Sequence, residues 1–168
     1  MTISLYTASA PALLQMLGTL SIVLKKTEDH AKANNLDIAA ILNDSLIADM
    51  LPMARQVQIA CDHAKGAMAR MSGKDNPKFE DTETTIAELQ ARVAKTVAFV
   101  KSFKPSDLDG QEERPVTIKI PNNEMTFPAQ TYLINYAFPN FYFHTSMAYA
   151  IARKNGVPIG KSNFMGRE

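Results

Sequence analysis

Two histidines are the residues through which this chain could do chemistry. His144 lies within Tyr136-Ala-Phe-Pro-Asn-Phe-Tyr-Phe-His-Thr-Ser-Met-Ala-Tyr149, a stretch that is apolar or aromatic on nearly every side. A helix of that profile is expected to be buried on most sides, as the central element of a bundle. Its imidazole would then sit where an interior metal or ligand site can be built. His63 falls beside the apolar stripe Met53, Val57, Ala60, Cys61, Ala64, Met68 and Met71. Imidazole is a preferred ligand for ions such as zinc and nickel. His63 and His144 are therefore a candidate two-histidine site for a divalent metal (zinc, nickel or manganese), completed by water or by a carboxylate such as Asp49 or Asp62. Neighbouring helical residues point about 100° apart, so Asp62 and His63 do not serve one ion from a regular helix. In the competing reading both histidines are partly buried and hydrogen-bonded to tyrosine or backbone oxygens, as buried polar groups generally are.

The aromatics around His144 admit three readings: core, a pocket for a small apolar molecule, or a face covered by a second subunit. As a pocket, its lining would be Tyr136, Asn140, Phe141, His144 and Tyr149. A homodimer is the expected assembly, because two-fold pairing is the commonest. The third histidine, His30, stands near a helix end among Lys25, Lys26 and Lys32 and reads as a solvated residue. Cys61 has no intrachain partner and reads as a small buried apolar thiol. Gly156 to Lys161 lacks the glycine spacing of a phosphate loop, and no serine sits in a nucleophile elbow.

The elements that must position these residues follow from periodicity. Leu13, Met16, Leu17, Leu20, Val23 and Leu24 predict a first helix from about Ala8 to Ala33. Asp37 caps a short helix through about Leu42. A second long helix opens around Met50-Leu51-Pro52 and stops at Ser72-Gly73. After a charged loop, a third begins near Thr82 or Glu83 with Ile86, Leu89, Val93, Val97 and Val100 facing inward. Val116, Ile118 and Ile120 then alternate with polar residues, Pro121-Asn122-Asn123 turns the chain, and Glu124 to Phe127 returns, which predicts a β-hairpin. The fourth helix spans about Pro128 to Asn155 with a kink at Pro139, capped by Gly156 and stopped by Pro158. The 168 residues make one domain, 1–168.

Eighteen basic against 17 acidic residues, a net charge of +1, give no electrostatic footprint for nucleic acid. The opening residues carry no basic region ahead of an apolar stretch. The Ala8 to Leu24 segment is interrupted by Gln15, Gly18, Thr19 and Ser21, so no membrane span is expected there. A soluble cytoplasmic protein is the expectation.

Asp49-Met-Leu-Pro-Met-Ala-Arg-Gln-Val-Gln-Ile-Ala-Cys-Asp62 and Phe138-Pro-Asn-Phe-Tyr-Phe-His-Thr-Ser-Met-Ala-Tyr149, with Gly156-Val-Pro-Ile-Gly-Lys161 and Asn163-Phe-Met-Gly166, resemble a bacterial domain-of-unknown-function branch of the DinB/YfiT-like superfamily. The resemblance covers essentially the whole chain. It implies an all-α, DinB-like four-helix bundle with a small β-hairpin inserted between helices three and four. It also implies a divalent metal held by three histidines, one on helix two and two at i, i+4 on helix four, because that spacing projects both onto one face. Here His63 and His144 match two of the three positions, and position 148 is Ala148. Asn140, one turn before His144, is a poor substitute.

Two functions stay open on this reading. One is a small-ligand-binding or interaction protein with an aromatic interior around His144 and an incomplete histidine triad. The other is a divalent-metal-dependent enzyme of thiol-transferase or hydrolase type using His63 and His144. Fold alone does not choose between them.

Overall fold

The computed structural model describes residues 3–167. Helix α1 (Leu5–Ala33) opens at a capping box, with Ser4 N–H donating to Thr7 Oγ1 at 2.9 Å and Ser4 Oγ accepting from Thr7 N–H at 3.3 Å. These bonds satisfy free amides at the helix end, so the helix begins three residues before the expected start at Ala8. That stripe is intact, with Leu13, Leu17, Leu20 and Leu24 fully buried. By length and composition α1 could cross a membrane, yet it lays its stripe against α3 (Met53–Ser72), α4 (Ile86–Lys101) and α7 (Phe138–Lys154).

Asp37 caps the short α2 (Ile38–Asn43) through a 2.9 Å bond from Ala39 N–H, as expected. Pro52 is the cap residue of α3, with extended φ and ψ, so the helix proper starts at Met53; Gly73, in the left-handed region at φ 72°, closes it. α4 begins later than the charges suggest, at a capping box between Thr85 and Glu88. Ile86, Leu89, Val93 and Val100 are buried on its inner face, and Val97 packs against the core.

After the short α5 (Pro105–Leu108), β1 (Pro115–Ile120) pairs antiparallel with β2 (Asn123–Pro128) in the register Pro115↔Pro128 to Ile120↔Asn123. The turn is Pro121-Asn122, Asn122 taking φ 64°. Val116 and Ile118 face the core, while Thr117 and Thr126 bond across the strands at 2.9 Å on the other side. A two-stranded ribbon is marginal alone; here the buried valine and isoleucine anchor it to the helices, beside α6 (Ala129–Tyr132).

The fourth long segment departs from expectation in two ways. Between α6 and α7 the chain makes a π-helical turn, Leu133–Ala137, closed by Phe138 N–H to the Leu133 carbonyl. Pro139 has no N–H to offer Asn135, so the widened turn takes up the register where a kink was expected. The segment is also not buried on most sides. α7 buries Phe141, Thr145, Ala148, Ile151 and Ala152, but Tyr142 and Phe143 are exposed, as is Ile134 in the π-turn. Four long helical segments and one inserted hairpin thus share a contiguous hydrophobic cluster, the helical bundle expected from the sequence. The tail continues along α1, burying Val157 and Ile159, and ends in α8 (Lys161–Phe164).

Candidate functional site

α3 and α7 make the most extensive helix-to-helix contact in the molecule, and the site lies along that seam. Seven residues are nearly two helical turns, so Gln56, His63 and Arg70 stand in one row along α3. Each meets a partner from the segment that runs back beside it. Gln56 meets His144, His63 meets both His144 and Tyr136, and Arg70 meets Tyr132.

Gln56 is 1% exposed and fully committed. Its Nε2–H donates to the Leu51 carbonyl at 2.9 Å, which turns Oε1 toward His144 Nδ1 at 2.7 Å. A carboxamide oxygen only accepts, so His144 Nδ1 carries the proton and Nε2 keeps its lone pair. Anchored by the backbone leading into α3, Gln56 thereby sets the tautomer of a ring 88 positions later. His63 lies against that ring with centroids 5.7 Å apart and planes inclined by 13°, and Tyr136 flanks it at 6.2 Å. Tyr132 stacks on Tyr136 at 5.7 Å and is itself fully buried.

Both imidazoles are held neutral. Burial lowers the His63 pKa to about 4, helped by His144 and by the Arg70 charge, and burial lowers that of His144. Both rings are half-buried, and no nitrogen of either is an orphaned buried atom. The pair can therefore accept a hydrogen bond or a proton, and His63 can also donate one.

The structure brings Tyr136, His144 and His63 together. The other proposed pocket residues separate from them. Asn140 spends its amide on the Tyr136 carbonyl at 2.8 Å, tying α7 to the π-turn. Phe141 is wholly buried in the core. Tyr149, five residues beyond His144 and so turned well away from it, packs edge-on against Phe164 at 5.4 Å.

The donor set falls one ligand short of the three protein ligands that a catalytic zinc site uses. Ala148 is buried where the third histidine would stand, and no group of three or more His, Cys, Asp or Glu gathers among the described residues. Asp49 lies on the exposed connection before α3. Asp62, turned about 100° from His63, is held instead by Arg92 Nη2 at 3.0 Å and Lys65 Nζ at 3.1 Å. Its Oδ1 lies off the directions of those donors, so the attraction is coulombic rather than hydrogen-bonded. His30 stands in the last turn of α1, its Nδ1 3.2 Å from Nδ2 of the capping Asn34. Cys61 is buried, and burial pushes its thiol up to about 12, which makes it inert as a nucleophile.

Gln56 and Arg70 were not among the sequence candidates. Their signal was a polar residue every seventh position, 56, 63 and 70, on the face of α3 that carries His63.

The family model described as "Domain of unknown function (DUF1993)" matches residues 5–165. A crystal structure of a DinB family member protein from Shewanella denitrificans superposes with a TM-score of 0.88 at 36% sequence identity, covering 98% of this chain and 93% of that one. No curated protein matches the chain.

Proposed function

The chain belongs to the DUF1993 family, a branch of the DinB-like helical bundles, and from that premise we propose that it is a small-ligand-binding protein whose site is the His63–His144 imidazole pair. The observation that carries this reading is the fixed bond path from Leu51 through Gln56 to His144. A buried glutamine with both ends of its amide committed orients one imidazole and leaves its Nε2 as an acceptor. Beside it, a second neutral imidazole and the Tyr136 ring supply a polar and an apolar wall, the combination small-molecule sites use. The ligand class this suits is a small molecule with an apolar body and a hydrogen-bond donor for His144 Nε2. Two imidazoles without a third protein ligand favour binding over a metal-dependent reaction. A reducing cytoplasm suits the single buried thiol. Exposed Ile134, Tyr142 and Phe143 suit burial against a second copy of the chain.

Long-range 15N NMR of the histidine rings during titration with 4-hydroxybenzamide tests the site. Saturable shifts of the His63 and His144 nitrogens, lost in His144→Ala, are expected. Titration without saturable change at either ring counts against the reading.

A further inference from the structure

Gly66 lies in the interior of α3, fully buried, where glycine costs about 1 kcal/mol relative to alanine. Its bare Cα accommodates the Arg70 guanidinium. A Cβ built there would collide with Nη1 and stand 3.2 Å from Cζ. Long helical side chains lean toward the N-terminus, so Arg70 lies back over the preceding turn. Its guanidinium comes to rest at the level of Gly66, one helical turn from His63.

There the guanidinium is underused. Nη1 donates to the Tyr132 hydroxyl at 3.2 Å, one of five donors on the group. Asp62 and Asp81, which share a groove of about 370 Å³ with Arg70, are taken by other cations. Asp62 pairs with Lys65 and Arg92, and Asp81 with Arg55 and Arg92. Among the described residues no carboxylate lies within ion-pair distance of Arg70. A positive fork with spare donors therefore stands one turn from His63, whose ring lies against that of His144.

We infer that Arg70, seated in the Gly66 notch, reads a carboxylate on the ligand of the imidazole site. The inference rests on the proposed binding site and adds the chemical class of what it binds. A planar fork matches a carboxylate through two parallel bonds. Lys65 and Lys78 in the same groove are paired with Asp62 and Glu80, so the Arg70 guanidinium is left to balance one negative charge, which suits a carboxylate better than a dianionic phosphate. The ligand is then a small monocarboxylate whose hydrogen-bond donor reaches His144 and whose apolar body lies by Tyr136. The anion also favours protonation of the neighbouring His63, so binding takes up protons.

The test compares 4-hydroxybenzoate, 4-hydroxybenzamide and phenyl phosphate on wild type, Arg70→Gln and Gly66→Ala by calorimetry in two buffers of different ionisation enthalpy. Wild type should prefer the carboxylate over its amide on the order of tenfold, the worth of one charge-assisted pair, with proton uptake at pH 6. Arg70→Gln should abolish that preference, weakening the acid far more than the amide. Gly66→Ala, which favours the helix and moves only the guanidinium, should reduce the preference in a fully folded protein. Equal binding of acid and amide by wild type, or a preference that survives Arg70→Gln, overturns the inference while leaving the imidazole site standing. Stronger binding of phenyl phosphate overturns the carboxylate assignment. Failure of all three probes to bind overturns both readings.

Discussion

His63 is where burial has its most measurable consequence. Its folded pKa of about 4 lies below the ordinary histidine value of 6.5, so the unfolded chain binds the proton more readily. Stability tied to this group is complete above pH 6.5 and declines as pH falls toward 4, by up to about 1.4 kcal/mol per pH unit. His144, lowered in the same direction, adds to the slope. Urea denaturation across that window should show the decline, and His63→Gln should flatten it; an equally steep profile in the variant would place the cause elsewhere. Gln56 belongs to the same scale. Gln56→Leu leaves His144 Nδ1 without its partner in the seam, at a cost of about 1–3 kcal/mol. The 15N spectrum should then change from a single Nδ1–H tautomer to a mixture. Retention of one tautomer would show that something other than Gln56 fixes it.

Among the elements, the segment between α3 and α4 shows how a charged loop acquires a fold. Arg92, its side chain 1% exposed, gathers Asp62, Asp81 and Glu83 within 3.0 Å. Lys65 and Lys95 stand over the ring of Phe79, at 4.3 Å and 4.0 Å from its centroid. The loop is thereby locked across both helices, along the groove it shares with Arg70. Arg92 and Glu83 are sheltered while Asp62 and Asp81 are more than a third exposed, so the loss of Arg92 is partly screened by water. Arg92→Met is therefore expected to lower stability by about 1–2 kcal/mol in urea denaturation, and a neutral effect would show that water already screens the acids. None of this was legible in the chain. Arg92 sits among residues that read as an ordinary solvated helix face, and its partners come from 9 to 30 positions upstream. The helices themselves were legible, because their stripes and caps are local. Their exact starts moved by a few residues wherever a side-chain capping bond decided them, as at Ser4 and Thr85.

At the scale of the whole molecule, the outer face of α7 and its π-turn leave Ile134, Tyr142 and Phe143 in solvent at 55%, 37% and 49% exposure. If that face pairs two chains, light scattering at tens of micromolar should give a dimer, roughly the range where an interface of ordinary size holds. Phe143→Glu should return it to monomer; a wild-type monomer would refute the pairing. Elemental analysis of untagged protein, followed by titration with zinc, should find no stoichiometric ion, since among the described residues no third His, Cys, Asp or Glu joins the two imidazoles. One tight ion per chain, lost on mutating His63 and His144 to alanine, would revive the metal-enzyme reading. The sequence by itself determined the bundle, the inserted hairpin, the two histidines worth watching and the gap at Ala148, because periodicity, turn residues and i, i+4 spacing are properties of neighbours along the chain. Only the tertiary structure decided that Gln56 orients His144, that Arg70 lies in the Gly66 notch, and that Asn140 and Tyr149 turn to other partners. Those relations depend on how α7 slides and rotates against α3, and the π-turn before Pro139 sets that register through packing that no single segment encodes.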